Sequence, residues 1–328
     1  MSHEYSRRSS GRSVRRIAVA LAATAAAGAL PLVGSSTVSA GPVATTAQVL
    51  KAVAAAPAIT KVPPDVTPAL QDATGDSTEA LLAAQGCQSP PEKVEMPACL
   101  YGDPKGKRTL VLFGDSHAAM WISAFDAIGK RAHWKVVLLA KSGCGTPFIT
   151  FWDPFRRVSP FKECDQWHTY AIARINRTRP DVVALTSEYL TPDNDHPVWP
   201  STTAWTAGLV KTLRLITPPR TRKVILGDIP YLGQSAPECL AAHMSDVPSC
   251  STPASAAVKA DRIRAEQVAA ARTRTPYIKV APWFCSTTCT PIVGNKIVYV
   301  DAYHASSTYA VYVSGALQAA LRPTMSPK

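Results

Sequence analysis

The amino-acid sequence predicts an α/β fold, a three-layer sandwich with a central parallel sheet of about five strands. Two observations lead to this class. From about Arg108 onward, short apolar runs rich in β-branched residues alternate with longer stretches of helix-forming residues. Strands separated in this way need crossover connections, which place helices on both faces of a parallel sheet. We therefore expect one sizeable α/β domain.

The elements follow in order along the chain. Strands are predicted at about 109–113, 136–139, 181–186, 223–226 and 278–281. The stretches between and after them predict helices at about 117–132, 165–178, 202–215, 254–273 and 306–321. Upstream, Ala47 to Ala56 predicts one more short helix. It ends before Pro57 because a proline disfavours helical geometry in the residue that precedes it.

Residues 1–40 have the pattern of a secretory signal peptide. An arginine-rich lead is followed by an apolar stretch at 17–33 and by Val38-Ser39-Ala40, the small-residue pattern of a cleavage site. We expect cleavage after Ala40, with an uncleaved membrane anchor as the alternative. The apolar stretch is short for a spanning helix and is interrupted by Gly28 and Pro31, which favours cleavage. The protein is therefore expected outside the cytoplasm.

Residues 41–85 are rich in alanine, threonine, valine and proline, and several of the prolines favour extended chain. We interpret this segment as a linker or stalk, or as a segment wrapped on the domain that follows it. The folded domain is expected at residues 86–328. The sequence shows no internal repeat.

The eight cysteines fall into four pairs of near neighbours. Eight cysteines allow 105 pairings. The simplest pairing suits an oxidising compartment, and it joins Cys87–Cys99, Cys144–Cys164, Cys239–Cys250 and Cys285–Cys289. The alternative is a metal site, for which only the last pair has ligand-like spacing. Because no second cysteine or histidine pair with such spacing accompanies it, we expect disulfides and no metal.

The formal net charge of +12 does not indicate a nucleic-acid partner. Five arginines lie in the first forty residues, and the remaining positive charge is spread thinly along the chain. A nucleic-acid footprint would cluster lysine and arginine on one face or one element. The residual charge is compatible with the anionic surface of a cell envelope.

The first candidate catalytic residue follows the first predicted strand, in Phe113-Gly114-Asp115-Ser116-His117. Ligands of open α/β sheets bind at the carboxyl ends of strands, and a serine on such a turn presents its hydroxyl at that edge. Its own backbone N–H, at the start of a helix, could stabilise an oxyanion. The alternative is an ordinary turn in which Asp115 or Ser116 caps the helix.

The second candidate pattern is Asp301-Ala302-Tyr303-His304, just before the last predicted helix. An aspartate three residues ahead of a histidine in a turn can accept a hydrogen bond from one ring nitrogen. The other nitrogen is then free to take a proton from serine. Either pattern alone could be a cap or a loop ion pair. Together they have the composition of a Ser–His–Asp triad, which is recognised by roles and not by chain order.

These motifs resemble those of the SGNH hydrolase superfamily. More narrowly, they resemble the extracytoplasmic SGNH domain that is attached to bacterial acyltransferase-3 membrane proteins. The narrower resemblance rests on Gly114-Asp115-Ser116-His117, on Lys141-Ser142-Gly143-Cys144, and on Cys285 and Cys289 ahead of the Asp-x-x-His turn. It covers about residues 85–322 and does not include a membrane domain.

The resemblance implies an SGNH, flavodoxin-like fold with Ser116 as the nucleophile. His304 would be the general base and then the general acid, and Asp301 would orient it. Gly143 would contribute to the oxyanion hole, with Gly145 as the less favoured choice.

One motif of the family is missing. Where a Gly-x-Asn-Asp block is usual, Leu185-Thr186-Ser187-Glu188-Tyr189 follows the third predicted strand. No asparagine therefore stands where a side-chain oxyanion donor is expected. Loss of one such donor typically costs about 10²–10³ in rate, which weakens catalysis without forbidding it.

Some further side chains have two interpretations. His117 could touch substrate or only hydrogen-bond at the helix start, and Asp228 could line the cleft or act as a cap. Trp152 or Trp199 could stack on a sugar or serve packing. Four further histidines lack a partner at ligand spacing and are expected to be surface or structural residues: His133, His168, His196 and His243.

By this resemblance, the expected function is a serine-dependent O-acyl ester enzyme of the cell envelope. It would transfer an acyl group such as acetyl, or hydrolyse its ester, on a glycan or glycolipid substrate. For transfer, a membrane acyltransferase-3 protein is the expected acyl donor. Two alternatives stay open: a stand-alone secreted esterase or lipase-like hydrolase, and a catalytically silent glycan-binding domain. The sequence has no Gly-rich phosphate loop, so no nucleotide or flavin cofactor is expected.

Overall fold

The computed structural model describes residues 43–87, 89–97, 99–189 and 200–326, and the predicted signal peptide lies outside these ranges. The helices found there are α1 Thr46–Ala55, α2 Thr78–Ala84, α3 Ser116–Met120, α4 Ile122–Ala132, α5 Lys162–Thr178, α6 Thr202–Leu215, α7 Ala236–Ala242, α8 Ala254–Ala257, α9 Ala260–Thr273, α10 Ser307–Tyr312 and α11 Ser314–Met325. Among the described residues, no helix combines the length and the apolar character needed to cross a membrane.

The strands in the same ranges are β1 Cys99–Gly102, β2 Arg108–Gly114, β3 Trp134–Ala140, β4 Val182–Thr186, β5 Arg222–Leu226, β6 Thr252–Pro253, β7 Tyr277–Ile278, β8 Thr288–Cys289, β9 Ile292–Val293 and β10 Lys296–Ile297. Six of them form the central sheet, in the order β1-β3-β2-β4-β5-β7. The other four make two short antiparallel pairs, β6 with β8 and β9 with β10.

Five strands of the central sheet run parallel, which confirms the predicted α/β class. The sequence does not predict the sixth strand, β1, which pairs antiparallel with β3 at the edge of the sheet. This strand has only four residues, and its two inner residues are not buried. It therefore lacks the apolar run by which the buried strands are recognised.

The alternation of side chains along β2 produces three layers. Leu110 and Leu112 belong to the core shared with α1, α3, α4, α10 and α11. Val111 and Phe113 belong to the opposite core, shared with α5, α6 and α9. All four side chains are buried, as expected for a central strand covered on both faces.

Three of the predicted helices are each divided in two. The breaks fall at Trp121 between α3 and α4, at 258–259 between α8 and α9, and at Val313 between α10 and α11. At Val258 the backbone is extended, whereas Trp121 and Val313 have φ near −80° and ψ near 0°. The helical periodicity of the sequence continues across such short interruptions, so it does not reveal them.

Residues 43–84 lie against the domain. Val49 and Val53, one helical turn apart on α1, are buried in the same core as Leu317 and Leu321 of α11. Thr45 begins α1 with a capping box, in which its Oγ1 accepts from the backbone N–H of Gln48 at 3.3 Å. Full burial of a valine side chain stabilises a fold by about 1.5–3 kcal/mol, so this contact contributes to the stability of the domain.

The structure contains four disulfide bonds, and each joins neighbouring cysteines in the sequence: Cys87–Cys99, Cys144–Cys164, Cys239–Cys250 and Cys285–Cys289. The second of them ties the loop after β3 to α5, and the fourth closes a tight turn before the loop that carries Asp301. The second bond thus fixes a loop at the carboxyl edge of the sheet. The fourth fixes a turn that precedes the Asp301 loop in the sequence.

The register of the parallel strands brings several loops to one edge. Gly114, the last residue of β2, pairs with Ala140 of β3 and with Thr186 of β4. The backbone N–H of Lys141 donates to the carbonyl oxygen of Gly114 at 3.0 Å. The turns after β2, β3 and β4 therefore start side by side, which is where a site of this fold class is expected.

Candidate active site

Ser116 is the first residue of α3, at the turn where the chain leaves the middle of the sheet. A Cβ atom on Gly114 would lie 2.0 Å from the carbonyl oxygen of Thr186, so glycine is needed there for close packing. Asp115 caps the helix, because its Oδ1 accepts from the backbone N–H of His117 at 2.9 Å. The capping role belongs to Asp115, and Ser116 is left 5% exposed at the turn.

Ser116, His304 and Asp301 lie in the geometric order of a triad. Nε2 of His304 is 3.0 Å from Oγ of Ser116, across 188 positions of sequence. Nδ1 of the same ring is 2.7 Å from Oδ2 of Asp301. The arrangement can pass the serine proton to His304 while the carboxylate holds the ring in position.

The loop that carries Asp301 is fixed by its own hydrogen bonds. Oδ1 of Asp301 accepts from the backbone N–H groups of Tyr303 and His304, at 2.8 and 2.6 Å. The carbonyl oxygen of Ala302 accepts from the backbone N–H of Leu232 at 2.8 Å, which attaches the loop to the segment after β5. The imidazole of His304 is thus oriented by the protein itself.

Asp301 is stabilised in its charged form. Burial acts to raise its pKa, but the hydrogen bond and charge of His304, and the N–H groups of the loop, outweigh burial. Together they hold the pKa of Asp301 below its usual value. A carboxylate at Nδ1 favours the tautomer with the proton on that nitrogen, so that Nε2 presents its lone pair to Ser116.

A second histidine–aspartate pair lies next to the first. Nδ1 of His117 is 2.5 Å from Oδ1 of Asp228, and both side chains are fully buried. The ring centroids of His117 and His304 are 4.8 Å apart. Burial acts against protonation of His117, but the charge and hydrogen bond of Asp228 raise its pKa to about 10. The sequence left open whether His117 touches substrate and whether Asp228 lines the cleft. Their full burial favours an interior pair that lies beside the triad.

The residues that replace the Gly-x-Asn-Asp block are attached to the site through their backbone. The N–H of Glu188 donates to Oδ2 of Asp115 at 3.0 Å, and the N–H of Tyr189 donates to Oδ2 of Asp228 at 2.8 Å. Glu188 is 8% exposed. The sequence analysis did not single out Glu188, because the only signal in this segment was a missing asparagine.

Gly143 lies in the turn after β3 with φ of +69°, a conformation that glycine adopts without strain. A Cβ atom there would lie 2.8 Å from Cγ of Pro154. The carbonyl oxygen of Gly145 is 2.7 Å from Nε2 of His168, which fixes the rest of this loop. The contribution of Gly143 to an oxyanion hole stays a prediction.

The other histidines and tryptophans have varied surroundings. His133 is exposed and pairs with Asp103, His243 is exposed at the end of α7, and His168 is buried. Trp152 is partly buried. Trp199 and His196 lie outside the described residues.

One group of potential metal ligands comes together in the described part of the chain, and it consists of Cys144, Cys164 and His168. The two sulfur atoms are joined in a disulfide bond. Neither is therefore available as the thiolate that binds a metal ion.

A cleft of about 530 Å³ opens beside the turn that contains Gly143. Ser142, the exposed Phe155 and the segment 89–97 contribute to its walls. The segment is held by Lys141, which is fully buried. Nζ of that lysine donates to the backbone carbonyl oxygens of Pro90, Pro91 and Lys93, at 3.1, 2.8 and 2.7 Å.

Two solved structures resemble this fold. The periplasmic domain of a lipopolysaccharide acetyltransferase from Salmonella serovar Paratyphi A has a TM-score of 0.55 and 15% identity, over 75% of this chain and 94% of that chain. A Bacteroides fragilis protein assigned as an acylhydrolase has a TM-score of 0.42 and 12% identity, over 74% of this chain and 95% of that chain. The first likeness supports the fold alone, and the second is too weak to support an argument. No curated protein matches the chain by sequence.

The sequence itself establishes the family. The family model of the SGNH domain, described as fused to AT3 domains, matches residues 86–319. The matched range contains Ser116, Asp301, His304 and all eight cysteines. The match confirms the resemblance drawn from the motifs, and the chain belongs to the SGNH domain family.

Proposed function

We propose that this protein is a serine-dependent O-acyl ester enzyme that acts on a cell-envelope glycan or glycolipid. The observation that carries the proposal is the alignment of Ser116, His304 and Asp301, with contacts of 3.0 and 2.7 Å on the two sides of one imidazole. Membership in the SGNH family supports acyl-ester chemistry at this site.

In the first half-reaction, Nε2 of His304 takes the proton of Ser116 as Oγ attacks the carbonyl carbon of an acyl ester. The new bond forms between Oγ and carbon, and the carbonyl π electrons move to the oxygen, which hydrogen-bond donors stabilise. Collapse of this intermediate breaks the bond to the leaving alkoxide, which receives the proton from His304. An acyl group is left on Ser116.

In the second half-reaction, His304 takes a proton from an acceptor hydroxyl, which attacks the acyl-serine and releases Ser116 with its proton restored. The acceptor is water in hydrolysis and a sugar hydroxyl in transfer. We favour transfer of an acyl group such as acetyl, because the family is described as fused to AT3 domains. One solved structure of similar fold is named as the periplasmic domain of a lipopolysaccharide acetyltransferase. This name is compatible with a glycan acceptor for the present protein.

Transfer needs a source of the acyl group. We propose a membrane acyltransferase-3 protein as that partner, from the association of the family with AT3 domains. The four disulfides suit an oxidising compartment, and with the signal pattern of residues 1–40 they support an extracytoplasmic location.

The first experiment measures hydrolysis of an aryl acetate by the purified protein and by Ser116→Ala. We expect the substitution to lower the rate by at least about 10³-fold, because the nucleophile is removed. Ser249→Ala is the matched control, since Ser249 is exposed and lies outside the triad. Equal loss in both variants, or no loss in Ser116→Ala, would contradict the serine mechanism. Wild-type glycan acylation in a strain that lacks this protein would contradict the envelope substrate.

A second candidate is a catalytically silent glycan-binding domain, which the missing asparagine block favours. If the domain only binds glycan, the wild type, Ser116→Ala and Ser249→Ala would form no acyl-serine. All three proteins would bind glycan equally. The stand-alone esterase is distinguished by rapid turnover of simple aryl acetates without any membrane partner.

A further inference from the structure

We propose that the carboxyl group of Glu188 donates a hydrogen bond to the carbonyl oxygen of the bound acyl ester. It would thereby take the role for which the family uses the asparagine of its Gly-x-Asn-Asp block. The inference deepens the proposed function and rests on it, because it assigns one more residue to the same reaction.

The register of β4 brings Glu188 to the nucleophile. Thr186, the last residue of β4, pairs with Gly114 of β2, and Glu188 follows two residues later. The backbone N–H of Glu188 donates to Oδ2 of Asp115 at 3.0 Å. Asp115 immediately precedes Ser116, so the backbone of Glu188 is fixed to the turn that presents the serine hydroxyl.

The residues on either side of Glu188 are fixed as well. Oγ of Ser187 accepts from the backbone N–H of Thr146 at 2.7 Å. The backbone N–H of Tyr189 donates to Oδ2 of Asp228 at 2.8 Å. Three successive residues are thus anchored to three different loops of the carboxyl edge, which is the rigidity that a preorganised donor needs.

The surroundings of Glu188 favour its neutral form. Burial is the largest effect, and the nearby carboxylates of Asp115, Asp228 and Asp301 act in the same direction. The charge of His117 acts in the opposite direction, but this histidine is already paired with Asp228 at 2.5 Å. Together these effects raise the pKa of Glu188 to about 8.

A neutral carboxylic acid can donate where a carboxylate can only accept. A carboxyl group kept protonated by its surroundings at neutral pH is an established kind of oxyanion donor. The charges of His117 and Asp301 both act on the pKa of Glu188, so its carboxyl group lies within electrostatic range of His117 and of the triad carboxylate Asp301.

The asparagines in the described part of the chain are engaged elsewhere. Nδ2 of Asn176 donates to the carbonyl oxygen of Leu215 at 2.8 Å, and Nδ2 of Asn295 donates to Oδ2 of Asp65 at 2.9 Å. Neither replaces the missing family residue, and Glu188 occupies the segment where that residue would stand.

In the reaction, the Glu188 proton stays on its own oxygen. As Oγ of Ser116 bonds to the carbonyl carbon, the π electrons move to the carbonyl oxygen, and the O–H of Glu188 shortens its hydrogen bond to this growing charge. The serine proton goes to His304 and then to the leaving alkoxide. No further reactant is needed.

The test is the rate at which a p-nitrophenyl alkylphosphonate inactivates the full protein between pH 7 and pH 9.5. The reagent places a phosphoryl oxygen where the ester oxygen develops charge and requires only a reactive serine. In the wild type we expect the rate to fall as pH rises through about 8, because Glu188 loses its proton. Glu188→Ala should react about 10²–10³-fold more slowly at pH 7, with no fall near pH 8.

Glu188→Gln separates hydrogen-bond donation from a structural role. Its amide keeps a donor but does not titrate, so the rate should stay within about tenfold of the wild type at pH 7. It should also lack the fall near pH 8. Glu238→Gln, at an exposed glutamate of α7, is the control that should keep both the rate and the fall.

Different outcomes would overturn different statements. A Glu188→Gln variant as slow as Glu188→Ala, or one that keeps the wild-type fall near pH 8, overturns the inference about Glu188. Failure of the folded wild type to react at Ser116 at any pH, as seen by mass spectrometry, overturns the proposed serine mechanism itself and removes this inference with it.

Discussion

Oδ1 of Asp228 lies 2.5 Å from Nδ1 of His117, and both side chains are fully buried. The other hydrogen bonds of this carboxylate come from separate places. The backbone N–H groups of Tyr189 and Ile229 and the hydroxyl of Tyr231 donate to it, each at 2.8 Å. One carboxylate therefore joins the helix that begins at Ser116, the loop after β4 and the loop after β5.

Asp228→Ala is expected to destabilise the protein by about 3–5 kcal/mol. The substitution leaves the buried positive charge of His117 without its partner, and such a loss is costly in a protein interior. Urea unfolding monitored by circular dichroism measures the change in the free energy of unfolding. Lys130→Ala is the control, because Lys130 is 65% exposed in its pair with Asp126 and should cost at most about 1 kcal/mol. Equal losses in the two variants would contradict the importance of the buried pair.

Stability should fall as pH rises from about 4.5 to about 8. Burial above all raises the pKa of Glu266 to about 8, with Asp228 adding to it and hydrogen bonds from neighbours such as Tyr189 opposing it. In this pH range the folded protein holds a proton that the unfolded chain has released, so the free energy of unfolding decreases with pH. Each unit of pKa difference corresponds to about 1.4 kcal/mol, and we expect a loss of at least that size from this group.

Glu266→Gln removes one of the buried titrations and should reduce that dependence by its share, while the raised pKa values of Glu188 and His117 still contribute. Urea unfolding at pH 5 and at pH 8 measures it, with Glu238→Gln as the exposed control that should behave like the wild type. A Glu266→Gln protein that loses as much stability between the two pH values as the wild type would contradict the assignment of the buried proton.

Asp301→Asn tests whether Asp301 orients His304 for the proposed reaction. An asparagine can still accept from the loop N–H groups, so the fold should be kept, but its amide no longer favours the tautomer with the proton on Nδ1 of His304. We expect kcat for an aryl acetate to fall by about 10⁴-fold with little change in the unfolding midpoint. A loss below about tenfold would show that Asp301 does not orient the base.

The sequence was sufficient to predict those parts of the fold whose signals are local. The buried strands are continuous apolar runs, and Ser116 and His304 each lie in a short motif, and the structure brings the two side chains within 3.0 Å of each other. The edge strand β1 was missed because its stabilising contact is with β3, more than thirty positions away, and its own residues are not apolar enough.

Glu188 shows a different limit of sequence reasoning. Its surroundings are made by Asp115, Asp228 and Asp301, which lie on three other segments, and burial supplies the largest effect on its pKa. None of these can be read from Ser187-Glu188-Tyr189 itself. A sequence pattern shows that an asparagine is absent, but only the register of the sheet shows that the backbone of Glu188 lies beside Asp115.

The segment 43–84 gave a weaker local signal. Val49 and Val53 are spaced by four residues, which is the spacing of one face of a helix, but two valines among alanines do not indicate what that face contacts. The structure supplies the partner, α11, where a Cβ atom on Gly315 would lie 2.4 Å from the carbonyl oxygen of Ala44.

Gly315→Ala therefore gives a prediction in which the sign of the effect is informative. On a helix without such a neighbour, replacing glycine by alanine stabilises by about 0.5–1 kcal/mol. Here the added methyl group must push the backbone at Ala44 away, so we expect the free energy of unfolding to decrease and limited proteolysis to cut more readily within residues 43–60. Ala319→Gly, at an exposed position of the same helix, is the control. This control should lower the free energy of unfolding by about 0.5–1 kcal/mol, the usual cost of glycine in a helix, and leave the protease resistance of residues 43–60 unchanged. A Gly315→Ala protein that is more stable than the wild type would show that this segment does not dock on α11.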